Sequence, residues 1–218
     1  MKRKFGLVVA FAFFCVPPAF SQEKTVVNNC WVRPGTLCAD MNLNSVDMSM
    51  ADLSNSQFSG SNMEGATLAG TILTGANLTR TDLTRANLRK ANLSNADLRA
   101  ANLTAASLGG ANLSNVNLEN LIGTSADFTN AVMRGADLAG AEMRGATLQD
   151  ADAQRANFRS ANLTAADFRG ANLEGANFTN ATLRNANLTG TRLDRTMFNG
   201  ADMTGCIGCP PSQNRSPR

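Results

Sequence analysis

Ala76-Asn77-Leu78-Thr79-Arg80, Ala91-Asn92-Leu93-Ser94-Asn95 and Ala171-Asn172-Leu173-Glu174-Gly175 repeat one five-residue phrase, and in register with them residues 41–205 divide into 33 consecutive units. The third position of the unit holds Leu, Phe or Met in 31 of the 33, and the first is Ala in 23, with Ser, Thr and Val making up most of the rest. Neither position carries a charge; the other three hold mainly Asn, Asp, Thr, Arg, Ser and Gly. A period of five fits neither the 3.6 of a helix nor the 2 of a strand, so the repeat itself is the structural unit.

Two inward side chains separated by one outward side chain make a short extended edge, and the remaining polar or Gly pair suits a turn. Edges and corners repeated without insertion coil into a solenoid, each coil pairing with the next through its backbone. The units resemble the A(D/N)LXX signature of the pentapeptide-repeat family over about three quarters of the chain. That resemblance implies an all-β fold, a right-handed quadrilateral β-helix with four units per coil. The 33 units then give about eight coils, a rod on the order of 40 Å long at about 4.8 Å per coil.

Four-fold closure predicts that residues twenty apart stack. One column of third-position residues would read Phe58, Leu78, Leu98, Leu118, Leu138, Phe158, Phe178, Phe198, with three stacked rings at its end. The second-position column beside it, Gln57, Asn77, Asp97, Asn117, Asp137, Asn157, Asn177, predicts a ladder of side-chain amides. The ten second-position acids (Asp47, Asp52, Asp82, Asp97, Asp127, Asp137, Glu142, Asp152, Asp167, Asp202) never lie twenty apart. That spacing is what a twenty-residue coil requires if like charges are not to face one another.

Residues 1–21 read as a secretory signal peptide: Lys2, Arg3 and Lys4, an apolar run from Phe5 to Val16 too short to span a bilayer, and Ala19-Phe20-Ser21 before a cut at Gln22. Lipid attachment at Cys15 is the alternative, and Phe14 stands where lipoprotein signals carry a small residue. Export places the mature chain in the periplasm or outside the cell, where disulfides persist. Removing the three signal basics from 20 leaves 17 against 17 acids, a neutral mature chain. No basic stripe suited to nucleic acid is present.

Residues 22–40 are expected to cap the first coil, with Thr36-Leu37-Cys38-Ala39-Asp40 as a degenerate first unit and Trp31 as an apolar plug; an exposed ligand platform is the alternative role for Trp31. Residues 206–218 form a CxxC cap and a tail, regular structure stopping at Pro210-Pro211. The four mature cysteines allow three pairings, and opposite ends of a rod cannot be bridged. Cys30 therefore pairs with Cys38, and Cys206 with Cys209, a second subunit being the other partner open to the last two. A redox CxxC wants a βαβ setting that is not visible, so both pairs read as structural. No metal or cofactor site is expected: His is absent and the cysteine pairs are too far apart to share zinc.

Two units break the pattern. Leu121-Ile122-Gly123-Thr124-Ser125 exchanges the large and small positions, and Ala151-Asp152-Ala153-Gln154-Arg155 has no large residue. We expect packing compromises filled by Met143 and Met133 one coil away, with a bulge or bend at Gly123; a binding site at these defects is the alternative.

Without His or Tyr the commonest general bases are missing, and flat faces offer no cleft for paired carboxylates, so no enzyme is expected. The expected function is a non-catalytic exported scaffold that binds a protein or cell-envelope component. A DNA-mimic topoisomerase binder, an activity of some family members, is disfavoured by the neutral charge and the signal. A carbohydrate binder is disfavoured because all six mature Phe residues fall at inward positions. Resemblance to members that dimerise through the C-terminal coil allows a homodimer, which a C-terminal disulfide cap would hinder.

Overall fold

The computed structural model describes residues 26–211; the signal-peptide and tail readings for 1–21 and 212–218 lie outside them. The chain opens with an antiparallel hairpin, β1 (Val26–Val27) and β2 (Cys30–Trp31). It turns at Asn28 and Asn29, with φ of 47° and 65°, the paired positive φ values that a two-residue hairpin turn demands and Asn tolerates. From Thr36 onward the backbone winds as a coil in which residues twenty apart pair in parallel, from Leu37 with Gln57 to Asn187 with Ile207. This is a right-handed, four-sided β-helix of about eight coils.

Each unit satisfies its backbone donors by a fixed scheme, seen at 91–96. The third-position N–H of Leu93 donates to Asn112 O one coil on at 2.7 Å, and the fifth-position N–H of Asn95 donates to Ser114 O at 3.0 Å. The second-position N–H of Asn92 donates back to Thr71 O at 2.9 Å, and Ala96 N–H closes the corner on Leu93 O at 3.0 Å. That i to i+3 bond with φ of 58° at Asn95 is the geometry of a type II turn. Every fifth residue from Gly35 to Gly205 has positive φ, which is why Gly, Asn and Asp recur there.

Third-position side chains from Leu43 to Leu188 are all buried, including Leu53, Leu93 and Phe158 at 0 % exposure. First-position Ser and Thr enter this dry column without an unpaired hydroxyl: Ser61, Thr71 and Thr81 donate to the carbonyls of Cys38, Met48 and Phe58 at 2.6–2.9 Å. The expected ring stack forms, Phe158 on Phe178 at 4.7 Å and Phe178 on Phe198 at 5.2 Å between centroids, both 6° from parallel. Phe168, from the opposite face, meets Phe158 and Phe178 edge-on at 5.9 and 5.8 Å.

The unit at Gly123 packs as a swap: a side chain there would meet Leu121 Cδ2 at 3.3 Å and Met143 Cγ at 3.4 Å, so both have moved into its space. The expected bulge is absent. Ile122 pairs with Asn102 and Glu142 at the same offset of twenty as its neighbours, because exchanging large and small inward residues leaves the backbone path unchanged. Ala153 and Met133 are both fully buried.

Phe178 contacts three other rings, so Phe178→Ala should remove a large fraction of the C-terminal packing, about 3–5 kcal/mol. A lowered melting temperature with earlier hydrogen exchange in residues 158–198 than in the N-terminal coils is the expected result.

Candidate functional site

At the N-terminal end the two-residue alternation of the hairpin decides which side chains face the column. The pairs Val27–Cys30 and Val26–Trp31 lie opposite each other in register, so they occupy opposite faces. Cys30 is 0 % and Cys38 1 % exposed, their sulfurs 1.98 Å apart, and Val27 and Val32 pack against the core. Trp31 is 42 % exposed, with the Arg33 guanidinium 5.8 Å from its ring. Trp31 is therefore not the plug: following an inward Cys30 in an extended strand, it must point outward. The plug is the disulfide with its two valines. Asn28 Nδ2 ties the hairpin to Asn42 O at 3.2 Å.

At the other end Cys206 and Cys209 have their sulfurs 1.92 Å apart and both are half-buried. They line a shallow cleft together with Met203 and Pro210, and next to it lies an open cleft of about 520 Å³ lined by Leu193, Phe198, Met203, Pro210 and Pro211. The two ends thus differ: one column end is sealed, the other partly open.

Between them, the outward side chains are held by the turns. The second-position Oδ1 accepts the N–H of the fourth residue, as in Ser94 to Asn92 at 3.1 Å and Thr104 to Asn102 at 3.0 Å. The fourth-position hydroxyl often donates to the same oxygen, at 2.8 Å from Ser94 and 2.6 Å from Thr104. This completes the backbone scheme: four N–H groups find carbonyls and the remaining one finds Asn or Asp. The role is that of a local Asx turn. The expected amide ladder forms only in part. In the column from Gln57 to Asn177, side-chain links join only Asn77 Nδ2 to Gln57 Oε1 at 3.0 Å and Asn157 Nδ2 to Asp137 Oδ1 at 2.8 Å.

Acids on the faces sit opposite neutral partners, for example Asp137 with Asn157, Glu142 with Asn162 and Asp127 with Thr147. Two pair with an arginine two residues on: Arg99 with Asp97 at 2.6 Å and Arg169 with Asp167 at 2.7 Å. The arginine hydrogen bond holds each of these carboxyls below its usual range. Asp202 is pushed down to about 2, first by the Thr204 hydroxyl and then by the Arg184 guanidinium. At Asp152 the Arg134 guanidinium, 2.5 Å from Oδ2, draws the carboxylate aside, and its buried Oδ1 has no partner.

One face differs from the rest in charge. Ile72, Asn92 and Asn112 are successive partners down its centre, flanked by Thr74, Ser94 and Ser114, and no charged residue occurs in 71–75, 91–95 or 111–115, the next unit of the column bringing Arg134. Asn112 Nδ2 links to Asn92 Oδ1 at 3.3 Å. Among the described residues no group of three or more His, Cys, Asp or Glu is placed to hold a metal ion, and no helix is long and apolar enough to cross a membrane.

This architecture, a polar four-sided prism around a small-and-large apolar column, defines a class of repeat protein. The pentapeptide-repeat profile matches residues 61–99, 81–120, 101–140, 141–180 and 171–207, and the chain belongs to the pentapeptide-repeat family. It is similar to HetL, a pentapeptide repeat protein involved in heterocyst differentiation regulation from the cyanobacterium Nostoc sp. strain PCC 7120. The identity is 33% over 79% of this chain and 87% of that one, with a TM-score of 0.45. A trypsin-treated form of QnrB1, a plasmid-mediated fluoroquinolone resistance protein, is 22% identical over 78% of this chain and 87% of its own, with a TM-score of 0.63. That likeness shows the fold. No curated protein sequence matches the chain significantly.

Asn157→Asp should set a second carboxylate against Asp137 and remove the amide between them. The cost is up to about 1 kcal/mol at pH 7. Thermal melts at neutral pH should place this variant below its parent. For Asp202 the folded-state value of about 2 lies below the ordinary carboxylate value of about 3.9. Its contribution is therefore full above the ordinary value and lost as pH falls from about 4 toward 2. Asp202→Asn keeps the oxygen that serves Thr204 but loses the Arg184 pair. Its deficit in melting temperature should be present at pH 7 and disappear near pH 2.

Proposed function

We propose that this protein is an exported, non-catalytic scaffold that binds another protein, or a protein component of the cell envelope, through a flat face of its prism. The observation carrying this reading is the fixed outward polar side chains. With Asn and Asp bonded to their own turns, little rotamer freedom remains to be lost on binding, and preorganised surfaces bind at lower entropic cost. The uncharged stretch from Ile72 to Asn112 is the favoured docking face, because interface centres are depleted of charge. Export is supported by the basic-then-apolar start of the chain and by the two disulfides. A DNA-mimic role needs a strongly acidic surface, and the mature charge balance of 17 against 17 opposes it.

The test has two arms. N-terminal sequencing after cell fractionation should give a chain beginning at Gln22 in the periplasm or medium; an intact chain from Met1 in the cytosol would overturn the export reading. Immobilised mature chain should retain a partner from envelope extracts, and Ser114→Arg should abolish retention while Thr104→Arg does not. Arginine at this fourth position is native at Arg89 and Arg99, so both variants should fold. Equal retention by both would remove the uncharged face as the docking site.

A further inference from the structure

We propose that Cys206–Cys209 is a thiol–disulfide exchange site, and that its reduction by a dithiol unlatches the C-terminal end of the apolar column. The two disulfides of the chain differ in what can reach them. Cys30 and Cys38 are 0 % and 1 % exposed, out of range of an attacking thiolate, whereas Cys206 and Cys209 are half-buried and border the end cleft. Accessible disulfides are the ones that exchange.

What the accessible pair holds is a short segment with few other ties. The coil continues through Ile207, whose N–H donates to Ala186 O at 2.9 Å and whose carbonyl accepts from Leu188 N–H at 2.7 Å. Gly208, with φ of 73°, then presses so closely on the previous coil that a Cβ would lie 2.8 Å from the backbone of Leu188 and Thr189. This approach turns the chain back across the end. Among the described residues no backbone hydrogen bond holds Gly208, Cys209, Pro210 or Pro211. The disulfide therefore holds Pro210 and Pro211 in the cleft wall that they share with Phe198 and Met203. A loop with a sequence separation of 3 restricts the unfolded chain little, so its effect is on this local segment and not on the rod.

In the exchange, one thiolate of the dithiol attacks a sulfur of the pair, the Cys206–Cys209 bond breaks, and the displaced sulfur takes a proton. The second thiolate then cleaves the mixed disulfide. Two electrons and two protons end on Cys206 and Cys209 as thiols, and the dithiol becomes its disulfide. Residues 208–211 are freed, and the cleft lined by Leu193, Phe198 and Met203 loses its proline wall.

The mature chain treated with dithiothreitol, alkylated at intervals and analysed by mass spectrometry tests the order of reduction. Cys206 and Cys209 should be labelled at least about tenfold faster than Cys30 and Cys38. Partly reduced protein should show faster hydrogen exchange at Leu188 and Ile207 and stronger binding of an apolar dye, with unchanged exchange in residues 43–163. The double variant Cys206→Ser with Cys209→Ser should show the same exchange and dye binding without reductant. Equal reduction of the two pairs would overturn the proposal, as would a double variant whose C-terminal exchange and dye binding match those of the oxidised parent.

Discussion

The fold depends on giving the backbone N–H groups of a five-residue unit acceptors, four of them on carbonyls and the fifth, in most units, on a side chain. Two N–H groups reach forward one coil, one reaches back, and one closes the corner, all on carbonyls. The fourth-position N–H has no carbonyl and takes the second-position side chain instead. Buried or half-buried backbone donors left without partners are costly. That single orphan explains why Asn and Asp dominate a position that faces outward and does not contribute to the core. It also explains the polar texture of the surface: the groups that satisfy the corners are the groups that a partner would meet.

Much of this architecture was legible in the sequence because the unit is periodic and the coil length leaves a statistical trace in charges. The second-position acids avoid one another at a spacing of twenty, and the pairs formed by Asp137, Glu142 and Asp127 have neutral partners. The stacked rings of Phe158, Phe178 and Phe198 were readable for the same reason. The role of the second-position oxygens was not, since stacking columns suggest ladders between coils and only the turn geometry reveals the competing bond within a unit. The recurring Asn or Asp followed two residues later by Ser or Thr is the signal that pointed to it.

The ends and the defects were harder, because they lie where periodic reasoning stops. Trp31 is large and apolar, which suggests a plug, yet its position next to an inward Cys30 sends it to the outer face of the hairpin. Gly123 suggests a bulge, yet Leu121 and Met143 restore the lost volume without inserting a residue. The candidate docking face is defined by the absence of charge over three coils, a property visible only once columns have been assigned to faces.

The offset of twenty also sets the step by which such a rod can change length. Gain or loss of a whole coil leaves every later residue on its original face, whereas loss of one unit turns the entire C-terminal portion by a quarter revolution. Removing residues 146–150, for instance, would bring Asp127 opposite Asp152 and Glu142 opposite Asp167, the like-charge neighbours that the present sequence keeps apart. Growth by duplication is thus confined to multiples of four units, and the surface pattern is inherited in register or not at all.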